Sequence, residues 1–132
     1  MLPLLLLALL QPTPSAGADE PARIDLKLLF IGTEHDVRNA SGRAARTREF
    51  VSVLASRFAS VRSADREHFD PAGAGDADVV LLDWSQQEID LDQMAAVKSP
   101  LGPRASWHHP TVLLGSAGLL IAGPWQTQGA FG

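Results

Sequence analysis

The stretch Ile24–Gly32, IDLKLLFIG, contains an almost continuous run of large apolar residues and ends at a glycine. Such a run predicts a β-strand that is covered on both faces, which is the usual condition of a strand inside a parallel sheet. Two later stretches have the same character, DVVLLDW at Asp78–Trp84 and TVLL at Thr111–Leu114. Together the three runs indicate a buried sheet.

A helix is predicted between the first two strands. In Arg43–Phe58, RAARTREFVSVLASRF, the apolar residues Phe50, Leu54 and Phe58 recur every four positions. This spacing places them on one face of a helix and leaves the arginines of the segment free to stay in water. The next residues, ASVRSA at Ala59–Ala64, indicate a short second strand at an edge of the sheet.

The order of these elements along the chain predicts the α/β class. Parallel strands joined by right-handed crossovers favour a flavodoxin-like open sheet with strand order 2-1-3-4. A short helix is expected around Leu91–Val97, and a helix or a further strand at Leu119–Ala122. Sheets of this type usually have five strands, so we expect the domain to be incomplete, truncated before its final strand.

Residues 1–22, MLPLLLLALLQPTPSAGADEPA, have most features of a signal peptide. The apolar segment Leu2–Leu10 is shorter than the roughly 20 residues that span a bilayer, and small residues follow it at Ser15–Ala18. No Lys or Arg precedes the apolar segment, and the alternative is an apolar tail that is not removed. The prediction is export to the periplasm or the extracellular space, with one domain at residues 23–132 and no stable membrane span after signal removal.

Composition excludes several kinds of site. The chain has no cysteine, which rules out disulfides, thiolate metal sites and a cysteine nucleophile. Its net charge is −4 and its Lys and Arg residues are scattered, so nucleic acid is not an expected partner. His108 and His109 are adjacent and point in opposite directions in an extended chain, which makes a poor chelate. We therefore predict neither a metal nor a cofactor.

Three polar segments follow predicted strands, at Gly32–Asp36, Asp83–Gln86 and Gly115–Gly118. In a doubly wound sheet, ligands bind beyond the carboxyl ends of the strands, near the switch in strand order. The order 2-1-3-4 brings all three segments to one edge. This convergence predicts a ligand site there.

The first two segments hold most of the candidate side chains. His35 lies between Glu34 and Asp36, where it could act as a general base or bind a metal, or simply belong to a solvated loop. Asp83 ends a buried strand like the phospho-acceptor of receiver domains, or begins a turn into the residues that follow. Trp84 could line a sugar-binding cleft or be a core or lid residue.

The third segment, GSAG at Gly115–Gly118, resembles a nucleophile elbow but fails the spacing G-x-S-x-G. Ser116 stands one residue too early, Ala117 occupies the nucleophile position, and no histidine follows in the sequence. The pattern therefore favours a tight turn that brings the backbone close to its neighbours.

The stretches LKLLFIGTEHD, DVVLLDWSQ and PTVLLGSAGLLIAGPWQTQGAFG resemble the class I glutamine amidotransferase-like superfamily. The likeness is to ThuA-like (trehalose-utilisation) proteins and their exported bacterial relatives of unknown activity, and it covers most of Ile24–Gly132. The resemblance implies a flavodoxin-like sheet with its functional edge at the turn after Thr111–Leu114. In amidotransferases this turn carries a cysteine nucleophile, with His and Glu far downstream. Because Ala117 holds that position here, the resemblance does not support glutaminase chemistry.

The leading hypothesis is an exported domain that binds or processes a carbohydrate-related ligand at the carboxyl ends of its strands, with any catalysis left open. The residues expected nearest that ligand are Glu34, His35, Asp83, Trp84 and Ser116. One alternative is a non-catalytic interaction or scaffold domain, which an exposed apolar face beside Leu119–Ile121 would favour. A receiver-like domain is the other alternative, and it would need Glu34 and Asp36 to surround Asp83 with room for Mg²⁺.

Overall fold

The computed structural model describes residues 22–34, 42–85, 97–122 and 124–125. Residues 1–21, His35 and residues 91–96 of the expected short helix lie outside these ranges. Among the residues that the structure describes, no helix is both long and apolar enough to cross a membrane. The strands are β1 (Ile24–Gly32), β2 (Phe58–Asp65), β3 (Val79–Trp84) and β4 (Thr111–Gly115), the helices are α1 (Arg43–Ala55) and α2 (Ala117–Ala122), and short 3₁₀ turns occupy Arg66–His68, Pro71–Ala74 and Arg104–Ser106.

The four strands form one parallel sheet in the order β2-β1-β3-β4. This confirms the predicted α/β class and the flavodoxin-like strand order. Strand β1 pairs with both β2 and β3, so the switch in strand order lies between β1 and β3. Because all strands run the same way, they end at one side of the sheet, called here the carboxyl edge.

The centre of the sheet is covered on both faces, as the apolar runs predict. On one face, Leu29 and Ile31 of β1 and Val80 and Leu82 of β3 are fully buried in the main core cluster. This cluster also contains Leu101 and Trp107 from the loop before β4, and Ala117 and Ile121 from α2. On the other face, the ring of the fully buried Phe30 stacks on that of Phe50 in α1, with centroids 5.4 Å apart.

The boundary between α1 and β2 differs from the prediction. Helix α1 ends at Ala55, and Phe58, expected on the helix, is the first residue of β2. The backbone N–H of Ile24 donates to the carbonyl of Arg57 at 2.8 Å, and Ile24 pairs with Phe58 across the sheet. Pairing with β1 therefore extends β2 to eight residues at the expense of the last helical turn.

The segment after β4 begins with a helix. Residues Ala117–Ala122 form α2, which resolves the open choice between helix and strand at Leu119–Ala122. Leu120 and Ile121 face the core, and Leu119 is exposed.

Candidate functional site

The carboxyl edge brings together Asp83, Trp84 and Ser116. Asp83 and Trp84 are the last two residues of β3, and they pair with Leu114 and Gly115 of β4. The backbone N–H of Ser116 donates to the carbonyl of Trp84 at 2.8 Å. Parallel pairing of β3 with β4 is thus the direct reason that these three residues are neighbours.

Glu34 lies at the same edge but contacts the β2 side. Its backbone N–H donates to Asp65 Oδ1 at 3.2 Å, and its carboxylate accepts a hydrogen bond from the Ser63 hydroxyl at 2.6 Å. The receiver-like alternative needs Glu34 beside Asp83, and this carboxylate instead contacts β2. Asp36 lies outside the described residues. Within the described ranges, no three His, Cys, Asp or Glu side chains lie close enough together to hold a metal ion.

Asp83 is locked by an arginine of the first helix. Its side chain points to the α1 face of the sheet and is 6% exposed, and both of its oxygens accept from Arg46, at 2.8 Å from Nε and 3.0 Å from Nη2. The Arg46 guanidinium also lies over the Phe50 ring, 4.9 Å from its centroid. Charge-assisted bidentate pairs of this kind fix geometry strongly. Asp83 is therefore a positioned, neutralised carboxylate.

The Trp84 side chain lies on the face of the sheet opposite to α1, and a second arginine stacks on its ring. The Arg66 guanidinium lies over the indole, 4.6 Å from the ring centroid, and its Nη1 donates to the Asp83 carbonyl at 3.4 Å. Arg66 is 7% exposed although it belongs to the 3₁₀ turn after β2. Its side chain thus crosses the end of β1 to reach β3. It thereby covers the gap between the ends of β1 and β3, where the strand order switches.

The three tryptophans differ in how their indole N–H groups are used. That of Trp107 donates to the Thr111 hydroxyl at 2.7 Å, and that of Trp125 donates to the Gly102 carbonyl at 2.8 Å. The N–H of Trp84 is buried and has no hydrogen-bond partner among the described residues. Trp107 and Trp125 are therefore anchored as structural side chains, whereas the Trp84 ring packs against the main core cluster and lies beneath the Arg66 guanidinium.

A cavity of about 510 Å³ opens beside Trp84, and we call it the Trp84 cavity. The side chains that give it chemical character are Arg66, Glu67, Phe69, Trp84, Lys98 and Ser99. Its volume is within the range of pockets that hold small molecules, about 300–1,000 Å³. It lies beyond the end of β3 at the switch point, where doubly wound sheets bind ligands.

A carboxylate–imidazole pair lies at the end of β2. Nδ1 of His68 is 2.5 Å from Oδ2 of Asp65, and the imidazole is 79% exposed. Because a carboxylate only accepts, Nδ1 carries the proton. The hydrogen bond and the charge of Asp65 raise the pKa of His68 above its usual value.

The turn after β4 holds no nucleophile at the expected place. Ala117, which stands at the nucleophile position, is fully buried in the main core cluster. Gly115 has φ of 62°, and a Cβ at this residue would lie 2.6 Å from the Trp84 carbonyl oxygen. The glycine is required because the backbone of β4 approaches β3 too closely for any side chain.

A second cavity, of about 500 Å³, lies at the amino ends of the strands, beside the start of β4. It is lined by Trp107, Trp125 and the adjacent histidines of the loop. Nδ1 of His109 donates to the Ala77 carbonyl at 3.0 Å, so this ring is part of the loop's own hydrogen bonding.

No pattern in the sequence marks Arg46, Arg66 or His68 as site residues. Arg46 is one of several arginines on the outer positions of α1, and Arg66 and His68 belong to a polar connection. Only their positions in the chain could have pointed to them. Arg46 lies in the first turn of the helix after β1, and Arg66 and His68 come directly after the last residue of β2. In a parallel sheet, these positions fall at the carboxyl edge.

Comparisons of the chain with protein-family models, with curated proteins and with solved structures gave no match.

Proposed function

We propose that this chain is an exported ThuA/amidotransferase-like domain that binds a carbohydrate-related small molecule in the Trp84 cavity and has no glutaminase activity. The observation that carries the proposal is the position of this cavity, beside an indole at the switch between β1 and β3. Residues 1–22 support the proposal of export. The three sequence stretches that resemble ThuA-like proteins support the proposed relationship.

The chemistry of the cavity wall supports a sugar-like ligand. Phe69 and the part of the Trp84 ring that Arg66 and the core leave uncovered supply aromatic surface for the apolar part of a sugar. Glu67, Lys98 and Ser99 supply a carboxylate, an ammonium and a hydroxyl group, which can hydrogen-bond to sugar hydroxyls. Small-molecule sites commonly combine apolar walls with a few such polar groups.

Two features support binding without glutaminase chemistry. The nucleophile position is the buried Ala117, and Asp83 has both carboxylate oxygens paired with Arg46. Neither group can attack a carbonyl carbon in this arrangement, since one has no nucleophilic atom and the other is neutralised by a cation.

Calorimetric titration of the full chain tests the proposal. We expect at least one probe among D-glucose, trehalose, D-glucuronate and D-glucose 6-phosphate to bind, and Trp84→Leu to weaken that binding about tenfold. His108→Leu, which alters an exposed ring beside the other cavity, is the control and should bind like the wild type. Absence of binding to all four probes, or equal losses in both variants, would overturn the proposal.

Export is tested by fusing residues 1–22 to alkaline phosphatase, an enzyme that is active only after leaving the bacterial cytoplasm. Phosphatase activity comparable to that of a fusion with a known signal peptide is the expected result. An inactive cytoplasmic fusion would contradict the export proposal and would leave the binding proposal unaffected.

A second candidate function, an interaction or scaffold domain, is favoured by exposed apolar side chains around β4. Val112 is 47% exposed, Leu113 is 36% exposed and Leu119 in α2 is 61% exposed. Sedimentation of the wild type and of Leu119→Lys tests this candidate. Concentration-dependent association that Leu119→Lys abolishes would support it, and a wild type that stays monomeric at all concentrations would contradict it.

A further inference from the structure

We infer that a second site, separate from the Trp84 cavity, binds a small aliphatic molecule that carries both an ammonium and a carboxylate group, as an α-amino acid does. The site is a cavity of about 410 Å³ between helix α1 and strand β2, and we call it the α1–β2 cavity. The Trp84 ring lies on the face of the sheet opposite to α1, so this inference goes beyond the proposed function and does not depend on it.

One wall of the α1–β2 cavity is a single stripe of helix α1. The residues of this stripe follow the first of them by three, four, seven and eight positions, a spacing that places them on one side of a helix: Ala44, Thr47, Arg48, Val51 and Ser52. The Thr47 hydroxyl donates to the Thr33 carbonyl at 2.8 Å, which holds this side of α1 against the end of β1. The methyl groups of Ala44 and Val51 make part of the wall apolar, so it suits an aliphatic group.

The opposite wall carries a positioned carboxylate. Ser63 of β2 pairs with Phe30, whose ring stacks on α1, so Ser63 lies on the α1 face of the sheet. Its hydroxyl donates to Oε1 of Glu34 at 2.6 Å, and the backbone N–H of Glu34 donates to Asp65 Oδ1 at 3.2 Å. Within the part of the chain that the structure describes, no hydrogen bond or ion pair engages Glu34 Oε2. This oxygen is an acceptor for an ammonium group.

Arg48 supplies the opposite charge. It is exposed, it lines the same cavity, and among the described residues it forms no hydrogen bond and no ion pair. Arg46, two residues earlier, differs because two of its nitrogens donate to Asp83. The planar guanidinium of Arg48 therefore keeps its donors for a carboxylate, which it can bind through two parallel hydrogen bonds.

The balance of charge in the cavity selects the class of ligand. The charged residues of its lining are one glutamate and one arginine, Glu34 and Arg48, and they are not paired with each other. A ligand with a single charge would satisfy one of them and approach the other with like charge. A molecule with both charges complements both residues. The volume of the cavity lies within the range of small-molecule sites, about 300–1,000 Å³.

Nuclear magnetic resonance titration of the isotope-labelled full chain tests the inference. The probes are L-leucine, 4-methylpentanoate, which is leucine without its amino group, and isopentylamine, which is leucine without its carboxylate. We expect leucine to bind about fivefold more tightly than either analogue, because each analogue lacks one charged contact. The largest shift changes should fall on backbone amides of α1 and β2. Equal affinity for the three probes, or shift changes centred on Trp84, would overturn the inference.

Two substitutions separate the two charged contacts. Arg48→Gln should weaken binding of leucine and of 4-methylpentanoate about fivefold and leave that of isopentylamine unchanged. Glu34→Gln keeps an oxygen for the Ser63 hydroxyl, and it should weaken leucine and isopentylamine by a similar factor and leave 4-methylpentanoate unchanged. A loss that is the same for all three probes in either variant would overturn the assignment of the two charges.

Glu49→Gln and Arg57→Gln are the matched controls, since each removes one exposed charge that does not line the cavity. Neither should change the affinity for any of the three probes. Losses as large as those of Glu34→Gln and Arg48→Gln would show a general effect of charge and would overturn the site. Absence of any shift change with leucine would also overturn it, while the sugar titrations would still decide the proposed function.

Discussion

The pair Arg46–Asp83 is the clearest case of one residue controlling another at the carboxyl edge. Replacing Arg46 by Met would leave a carboxylate that is 6% exposed without its bidentate partner. We expect the free energy of unfolding to fall by about 2 kcal/mol, less than for a fully buried pair because Arg46 is 44% exposed. Urea denaturation measures this change.

Arg48→Met is the control for that substitution, because Arg48 is an exposed arginine on the same helix. It should alter the free energy of unfolding by no more than about 0.5 kcal/mol. Equal losses in the two variants would mean that the arginines stabilise α1 in general, and that the bond to Asp83 contributes nothing specific.

His68 makes a pH-dependent contribution to stability. Its pKa in the folded chain is raised above 6.5 by the hydrogen bond and the charge of Asp65. The contribution is therefore complete below about pH 6.5 and is lost as the pH rises through the folded pKa. The difference in free energy of unfolding between the wild type and His68→Gln should be larger at about pH 5 than at about pH 8.5.

Ser60→Ala, at an exposed side chain of β2 that has no titrating group, is the comparison. Its difference from the wild type should not change between these two pH values. A nuclear magnetic resonance titration that placed the His68 midpoint at or below its ordinary value would show that the bond to Asp65 does not persist in solution.

The positions of individual site residues could be predicted where those residues stand at the end of a strand. Asp83, Trp84 and Ser116 follow from apolar runs whose ends are visible in the sequence, and the topology then makes them neighbours. Arg46 and Arg66 were not predictable, because their contacts depend on which turn of a helix or connection faces the sheet. No hydrophobic period records that choice for a long polar side chain.

At the scale of elements, the turn between β4 and α2 is the most constrained connection. We expect Gly115→Ala to lower the free energy of unfolding by about 2 kcal/mol. The new Cβ would lie 2.6 Å from the Trp84 carbonyl oxygen, at a residue whose φ is 62°. Thermal or urea denaturation measures the loss.

Gly118→Ala is a control of the same chemical size three residues later. Gly118 lies within α2, and a Cβ there would meet no atom within 4 Å. The substitution should raise the free energy of unfolding by about 0.5 kcal/mol, because alanine loses less backbone entropy in a helix. Similar destabilisation by both changes would argue against the close approach of β4 to β3.

The end of α1 shows why element boundaries were harder to predict than elements. Phe50, Leu54 and Phe58 keep a helical spacing, but Phe58 belongs to β2. A bond from the Ile24 N–H to the Arg57 carbonyl draws the chain into the sheet before the helical pattern ends. Long-range pairing of this kind overrides a local period and cannot be read from the segment itself.

For the whole molecule, stability depends on the core cluster beneath β1 and β3. Leu82 is fully buried there, and we expect Leu82→Ala to lower the free energy of unfolding by about 3 kcal/mol through lost burial and a residual cavity. Val53→Ala, at a side chain that is 66% exposed, should change it by no more than about 0.5 kcal/mol. Comparable losses would indicate that the cluster is loosely packed in solution.

Strand order was predictable because few topologies satisfy short, right-handed connections between parallel strands. The Trp84 cavity was not, since much of its wall comes from Lys98, Ser99 and the residues around them. Those residues belong to an irregular connection, and no repeat of apolar positions fixes its path across the sheet. Recognition by such loops is common because they vary while the scaffold stays fixed.

Because β1 pairs with two strands that come later in the chain, it also constrains the order in which the sheet can form. Its partners, Phe58–Asp65 and Val79–Trp84, come later in the chain, so during synthesis Leu28–Ile31 lack at least one partner strand until both have left the ribosome. Closing such distant pairs is slow, and an apolar segment that waits for them is open to wrong contacts. Substitutions in β1 should therefore slow folding, whereas those in β4, which joins one side of the sheet, should mainly speed unfolding. A newly made chain is most vulnerable to aggregation in the interval before β3 emerges.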